Sequence, residues 1–174
     1  MEEKDCKYCD FTPRPETDLL YETKQYRVFL AQDQSYLGRC TVATKRHVGT
    51  LSLLTPEEWM DFSHVVSGLE HTLTQAFGAA NFNWTSLLNC TMNNAQPNPH
   101  VHWHFLPRYR QPVVLGIPEV TFTDPDFGKH YDRARSTMLG FDTRLLIKMR
   151  ISEYLPESSL RRTNYFGLGD EGDL

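Results

Sequence analysis

The chain has 174 residues, of which 40% are hydrophobic and 23% are charged, and this composition suits one globular domain with a core of its own. A net charge of -4 excludes the overall basic field that non-specific nucleic-acid binding requires. No apolar run reaches the length of a membrane span, and residues 1–5 lack the segments of a signal peptide, so we expect a cytoplasmic protein that binds neither nucleic acid nor membrane.

The first motif is CKYC at residues 6–9. Two cysteines at this spacing can bind one tetrahedral zinc ion. A chance pair or a redox pair has the same pattern, although no βαβ pattern follows to support redox chemistry. The other cysteines, Cys40 and Cys90, fall within predicted strands, and we interpret both as buried apolar thiols. Four cysteines spread in this way do not indicate a disulfide scaffold.

The next part of the chain is predicted to be mainly β. Residues 10–15 contain prolines and form a linker within the domain. β-rich runs at residues 19–22 and 25–31 predict a hairpin. Residues 39–44 predict a third strand, which leads into His47 at its exit.

A long helix is predicted to begin after Thr55. Thr55 is the expected N-cap, Pro56 takes the first helical position, and Glu58 completes a capping box. Gly78 is the expected C-terminal cap. Apolar residues recur at steps of three and four and form one stripe that faces the core: Trp59, Phe62, Val66, Leu69, Leu73 and Phe77. Two histidines on the opposite face are interpreted as solvated: His64 and His71.

Residues 83–92 predict a fourth strand, and residues 93–99 form a loop whose amide side chains are typical of a binding loop. This loop leads to a strand that alternates histidine with bulky apolar residues and is bounded by Pro99 and by Pro107-Arg108. Successive side chains of a strand point to opposite faces. One face therefore carries three histidines, His100, His102 and His104, and the other faces a core with Val101, Trp103 and Phe105.

Three imidazoles on one face can be metal ligands, a nucleophile with its proton partners, or an incidental polar face. Three of the chain's seven histidines fall within five residues, and such a concentration argues against an incidental face. The residues alone leave the first two alternatives open.

The rest of the chain gives weaker signals. Prolines and glycines after Arg108 predict irregular structure, and residues 143–155 predict a short helix before Pro156. Residues 156–174 are glycine-rich and charged, which is typical of a flexible tail.

Two distant segments together resemble the histidine triad (HIT) family of nucleotidyl hydrolases and transferases. The most specific motif is HVHWHFLPR at residues 100–108. Residues 38–47, GRCTVATKRH, followed by LLTPEE at residues 53–58, resemble the family's strand and helix entry. The resemblance covers about residues 6–110 and suggests one HIT-like domain over residues 1–155. It implies an α+β fold with a meandering antiparallel sheet of about five strands, one long helix and a short C-terminal helix, and it implies a homodimer.

The resemblance also implies a metal site. In zinc-containing members, a CxxC motif, a histidine after a Lys-Arg pair and the first triad histidine share one ion. In this sequence these ligands are Cys6, Cys9, His47 and His100. Four protein ligands close a tetrahedral site and leave no position for substrate, so the zinc is expected to be structural.

The resemblance assigns the chemistry to the remaining triad histidines. His102 is the expected nucleophile, which forms a nucleotidyl-histidine intermediate, and His104 is expected to contact the phosphate. Asn89 and Gln96 match amides that bind the scissile phosphate region, and Asp33 matches an acid that holds the ribose hydroxyls.

One position departs from the family pattern. Many members have Ser or Thr after the glutamine, where this chain has Pro97, which has neither a hydroxyl nor an N–H group for a phosphate. Asn98 or the guanidinium of Arg108 would have to supply the missing contact.

These assignments predict a nucleotide hydrolase or nucleotidyl transferase. It would act on the α-phosphate of a nucleoside phosphoramidate or a dinucleoside polyphosphate. Two alternatives stay open: a catalytic metal held by the three strand histidines, and a nucleotide-binding module without turnover.

Overall fold

The computed structural model describes residues 6–9, 18–89, 91–95, 97–116 and 119–156. The predictions for residues 10–15, Cys90, Gln96 and the tail from residue 157 onward lie outside the described residues. The elements are β1 (Leu19–Glu22), β2 (Tyr26–Leu30), β3 (Cys40–Thr44), α1 (Pro56–Phe77), β4 (Asn81–Thr85), β5 (His102–Arg108), β6 (Val113–Leu115), β7 (Val120–Phe122) and α2 (Phe141–Ser152).

The first five strands form one antiparallel sheet in the order β1-β2-β3-β5-β4. The predicted hairpin is present as β1 and β2, and α1 connects β3 to β4. The α+β fold with a five-stranded sheet and two helices is confirmed. None of the helices among the described residues is both long enough and apolar enough to cross a membrane.

Three features differ from the prediction. β4 ends at Thr85 rather than near residue 92, and the chain beyond it turns at Leu88, whose φ of 51° is incompatible with a strand. β5 continues through Pro107 instead of ending before it, since β3 pairs with β5 only as far as Phe105. Pro107 therefore pairs with β4 alone, and its missing N–H interrupts no second ladder.

The third difference is a hairpin of β6 and β7 within the region predicted to be irregular. Each of its strands has only three residues, too few for an alternating pattern to stand out among prolines and glycines.

Helix α1 begins and ends where the sequence predicts. The Thr55 hydroxyl accepts from the Glu58 N–H, the Glu58 carboxylate accepts from the Thr55 N–H, and Gly78 ends the helix at a φ of 72°. His64 and His71 are exposed as expected. The apolar stripe is shifted by part of a turn, because the fully buried valine is Val65 rather than Val66 and Trp59 is 43% exposed.

The two faces of the sheet have different roles. Val42, Trp103 and Phe105 are buried in the main core, which α1 and α2 cover, and the Trp103 ring stacks on Phe62 with centroids 4.1 Å apart. On the opposite face, Ala43 is paired with His102 and Thr41 with His104. The functional side chains therefore stand on a sheet that the helices support from behind.

Candidate metal centre and active site

Four side chains meet at the end of β3 and the start of β5: Cys6, Cys9, His47 and His100. Their ligand atoms all lie within 4.8 Å of one another. Nδ1 of His100 is 3.2 Å from Sγ of Cys6 and 3.5 Å from Sγ of Cys9, and Nδ1 of His47 is 3.2 Å from Sγ of Cys9. Tetrahedral zinc with bonds of about 2.0–2.3 Å places its ligand atoms about 3.3–3.8 Å apart, so this donor set fits zinc.

The orientation of His100 also fits a metal ligand. Its Nε2 lies 2.8 Å from the carbonyl oxygen of Thr44. A carbonyl only accepts, so Nε2 carries the proton and the lone pair of Nδ1 points toward the two sulfurs. Burial lowers the pKa of His100 to about 4, and the neutral imidazole is the form that binds metal.

The CKYC segment, residues 6–9, lies on the sheet through its middle residues as well as its cysteines. The Cys9 N–H donates to the Cys6 carbonyl oxygen at 2.9 Å and closes a turn. Nη1 of Arg27 donates to the Tyr8 carbonyl oxygen at 2.8 Å. Cys6 and Tyr8 are buried in a small cluster with Ala43. A metal ion held by Cys6 and Cys9 would add a further connection between this segment and the sheet.

His102 has one ring nitrogen fixed and one left for chemistry. Its Nδ1 donates to the His100 carbonyl oxygen at 2.7 Å, which leaves the lone pair on Nε2. His102 stands on the face of β5 opposite the core, yet it is only 3% exposed. The centroid of the His102 ring lies 5.0 Å from that of the Tyr8 ring and 5.2 Å from that of the His104 ring. Burial lowers the pKa of His102, which favours the neutral imidazole.

Tyr8 is a contact that the sequence reasoning missed. It lies between the two cysteines of the CKYC segment, and its ring is 5.2 Å from His100 and 5.0 Å from His102. The only signal in the sequence was an aromatic residue within the motif. The segment that the metal would hold thus also packs against the candidate nucleophile.

His104 adjoins His102 and is partly exposed. Burial lowers the pKa of His104 to about 4, and the positive charges near it, those of Arg39, Lys7 and Arg133 among them, add to this effect. A neutral His104 beside a concentration of cations is well placed to contact an anionic group.

The structure corrects the role that the sequence predicts for Arg108. We expected its guanidinium to be a phosphate donor, but the residue is only 2% exposed. Nε and Nη2 donate to the two carboxylate oxygens of Asp124, and Nη1 donates to Oδ1 of Asn83. Nη1 and Nη2 also donate to the carbonyl oxygens of Lys129 and Asp126. With every donor used inside the protein, Arg108 supports the fold and has none left for a nucleotide.

We expect Arg108→Lys to lower the free energy of unfolding by roughly 2 kcal/mol, because an ammonium keeps the charge and loses the fork that Asp124 accepts. The exposed neighbour provides the control, since Arg110→Lys should change stability by less than about 0.5 kcal/mol. Urea unfolding of both variants measures the difference. Equal stability of the two would contradict the structural role of Arg108.

The other residues expected to contact the nucleotide are Asp33, Asn89 and Gln96. Asp33 uses its carboxylate within the chain, accepting from the N–H groups of Ser35 and Thr137 and from Nη1 of Arg39. Asn89 is exposed beyond the end of β4, and Gln96 lies outside the described residues.

A family model for the HIT domain matches residues 13–111 of the sequence. This segment includes the triad strand and more than half of the chain. The chain belongs to the HIT family. No curated protein matches the sequence.

Solved structures of HIT proteins share the fold. A hypothetical histidine triad nucleotide-binding protein from Sulfolobus tokodaii strain7 is 18% identical, with a TM-score of 0.58 over 86% of this chain and 91% of that chain. Diadenosine triphosphate hydrolase from Plasmodium falciparum is 13% identical, with a TM-score of 0.57 over 88% of this chain and 86% of that chain. A histidine triad protein from Marinobacter aquaeolei VT8 is 18% identical, with a TM-score of 0.56 over 80% and 89%. Identities this low show a likeness of fold alone.

Proposed function

We propose that this HIT protein is a nucleotide hydrolase or nucleotidyl transferase with His102 as its nucleophile. The observation that carries the proposal is the 2.7 Å hydrogen bond from Nδ1 of His102 to the His100 carbonyl oxygen. It fixes the tautomer in which Nε2 has a free lone pair. Membership of the HIT family and the fold shared with a diadenosine triphosphate hydrolase support the same reaction class.

The reaction would proceed in two displacements at the α-phosphorus. Nε2 of His102 forms a bond to phosphorus while the bond to the leaving group breaks, and the leaving group departs with the bonding electron pair. Water or another acceptor then attacks the same phosphorus, loses a proton and displaces the imidazole, which regains its lone pair. His104 would contact the phosphate and stabilise the charge that develops there.

We further propose that the ion bound by Cys6, Cys9, His47 and His100 is a structural zinc. The support is the chemistry and spacing of the four donors. When bound, zinc would hold the CKYC segment on the sheet and Tyr8 against His102. Both cysteines must be reduced to bind a metal, as they are in the cytoplasm, where we expect the protein.

The alternative of a catalytic metal on all three strand histidines does not fit this geometry. Nδ1 of His102 donates a hydrogen bond to a carbonyl oxygen. Among the described residues, the candidate metal cluster contains His100 but neither His102 nor His104. A module that binds nucleotide without turnover remains an outcome of the experiment below.

The test is incubation of the full chain with adenosine and guanosine phosphoramidates and dinucleoside polyphosphates, with products resolved by chromatography. We expect release of a nucleoside monophosphate from at least one substrate. Tight binding without any product would favour the binding module, and turnover that depends on added metal would favour the catalytic-metal alternative.

We also propose a homodimer, as the family resemblance implies. Large apolar side chains are exposed around the start of α1: Leu53 at 60%, Trp59 at 43% and Met60 at 62%. Trp84 is half-buried against Phe105 with ring centroids 4.5 Å apart and is not part of this exposed group. Light scattering should give about twice the chain mass of 20.2 kDa. A monomer mass at micromolar concentration would contradict the proposal.

A further inference from the structure

A cavity of about 230 Å³ opens beside His104 and is lined by three arginines, Arg39, Arg133 and Arg135. Arg39 immediately precedes β3, and the other two come from the segment between β7 and α2. Asp132 is the one acidic residue among the described residues that line it. Arg39 is also paired with Asp33, so three guanidinium groups against two carboxylates leave the cavity with a net positive charge.

The segment that carries Arg133 and Arg135 is hydrogen-bonded to the connection between β2 and β3 before any ligand binds. The Gln34 N–H donates to the Thr137 carbonyl oxygen at 2.9 Å, and the Thr137 N–H donates to the Asp33 carboxylate at the same distance. A site fixed in advance loses less conformational entropy when it binds a ligand.

Two of these arginines have donors to spare. Nη1 of Arg39 is 2.6 Å from the Asp33 carboxylate and Nη2 of Arg135 is 2.6 Å from the Thr123 carbonyl oxygen. Within the part of the chain that the structure describes, Nε of Arg39 and Nη1 of Arg135 are buried without a hydrogen-bond partner. Unsatisfied buried donors are costly, and phosphate oxygens are acceptors well matched to guanidinium groups.

We propose that this cavity binds the phosphates of the leaving group, so that the preferred substrates are nucleoside polyphosphates rather than phosphoramidates. The inference rests on the proposed function, because it places the leaving group relative to His102. A cavity of about 230 Å³ is smaller than sites for drug-sized ligands, which measure about 300–1,000 Å³. It suits a short phosphate chain better than a whole nucleotide.

The arginines would act on the step that releases this chain. When the bond between the α-phosphorus and the bridging oxygen breaks, the oxygen keeps the electron pair and the departing phosphate gains negative charge. Fixed cations beside that position stabilise the charge as it develops. A phosphoramidate loses an amine, which gains nothing from them. The family model ends at residue 111, so Arg133 and Arg135 lie outside the matched domain.

The kinetic test compares Arg133→Gln with the matched control Arg110→Gln, since both arginines are exposed and Arg110 does not line the cavity. For each protein, kcat/KM is measured with a dinucleoside polyphosphate and with a phosphoramidate of the same base. The ratio of the two should fall roughly 10-fold in Arg133→Gln, as expected for one charge-assisted phosphate contact, and should not change in Arg110→Gln. An unchanged ratio in Arg133→Gln would overturn the proposal.

Calorimetric titration with inorganic tripolyphosphate separates this subsite from the proposed function. The wild-type chain should bind it, and Arg133→Gln should weaken binding roughly 10-fold. Absence of binding by the wild-type chain would overturn the subsite. Binding that depends on Arg133 in a protein with no nucleotide turnover would support the subsite while contradicting the proposed function.

Discussion

His102→Ala should abolish nucleotide turnover in a protein that still folds and still binds its metal. The variant removes the only nucleophile that we assign, and loss of a covalent nucleophile lowers kcat by roughly 10⁴-fold or more. His102→Ala removes the hydrogen bond to the His100 carbonyl oxygen and leaves a gap beside the Tyr8 and His104 rings, so it should cost roughly 2–3 kcal/mol of stability. Substrate binding should survive, because the phosphate contacts do not depend on this ring.

Two further histidine variants test whether the loss of activity is specific to His102. His71 is exposed on the outer face of α1, so His71→Ala should keep full activity and provides the matched control. His104→Ala should lower kcat by less than His102→Ala, because it removes one of several contacts to the phosphate. Full activity in a folded His102→Ala protein would end the assignment of the nucleophile.

Cys6→Ser should release the metal and lower the free energy of unfolding by several kcal/mol, on the order of 3–5, because the ligation energy of a structural zinc is folding energy. Serine is a poor ligand for zinc beside one thiolate and two imidazoles. Elemental analysis should find one zinc per wild-type chain and none in the variant. Thermal unfolding gives the change in stability.

The control for this variant is Cys40→Ala. Cys40 is fully buried in the main core and its Sγ donates to the Gly38 carbonyl oxygen, so the variant should lose about 1 kcal/mol and keep its zinc. Cys6→Ser should also lower kcat, since the segment that places Tyr8 5.0 Å from His102 would lose its attachment. An unchanged melting temperature in Cys6→Ser, or wild-type protein without zinc, would contradict the structural role.

The elements that could be predicted from the sequence are those with local signals. Helix α1 begins and ends where expected, because capping depends on neighbouring residues. The start is set by Thr55, Pro56 and Glu58, and the end by Gly78. The alternation from His100 to Phe105 correctly separates the core face from the site face. The four proposed metal ligands also lie together in the structure, although their grouping came from the family resemblance rather than from spacing.

The remaining features depend on contacts between distant segments. Arg108 is the last residue of the triad motif and has the right chemistry for phosphate. Its partner Asp124 is sixteen residues away along the chain, and no local pattern indicates that pair. The burial of His102 depends in part on Tyr8, which lies ninety-four residues earlier in the sequence. The arginines beside His104 come from two separated segments. Such proximities follow from the tertiary fold alone.

The most direct test of the central claim is capture of the covalent intermediate. The wild-type reaction with a dinucleoside polyphosphate is quenched in base, where a phosphoramidate bond to histidine survives, and the protein is digested and analysed by mass spectrometry. We predict a nucleotide adduct on His102, absent in His102→Ala and still present in His71→Ala. An adduct on another residue, or turnover by wild-type protein with no adduct under single-turnover conditions, would contradict nucleophilic catalysis by His102.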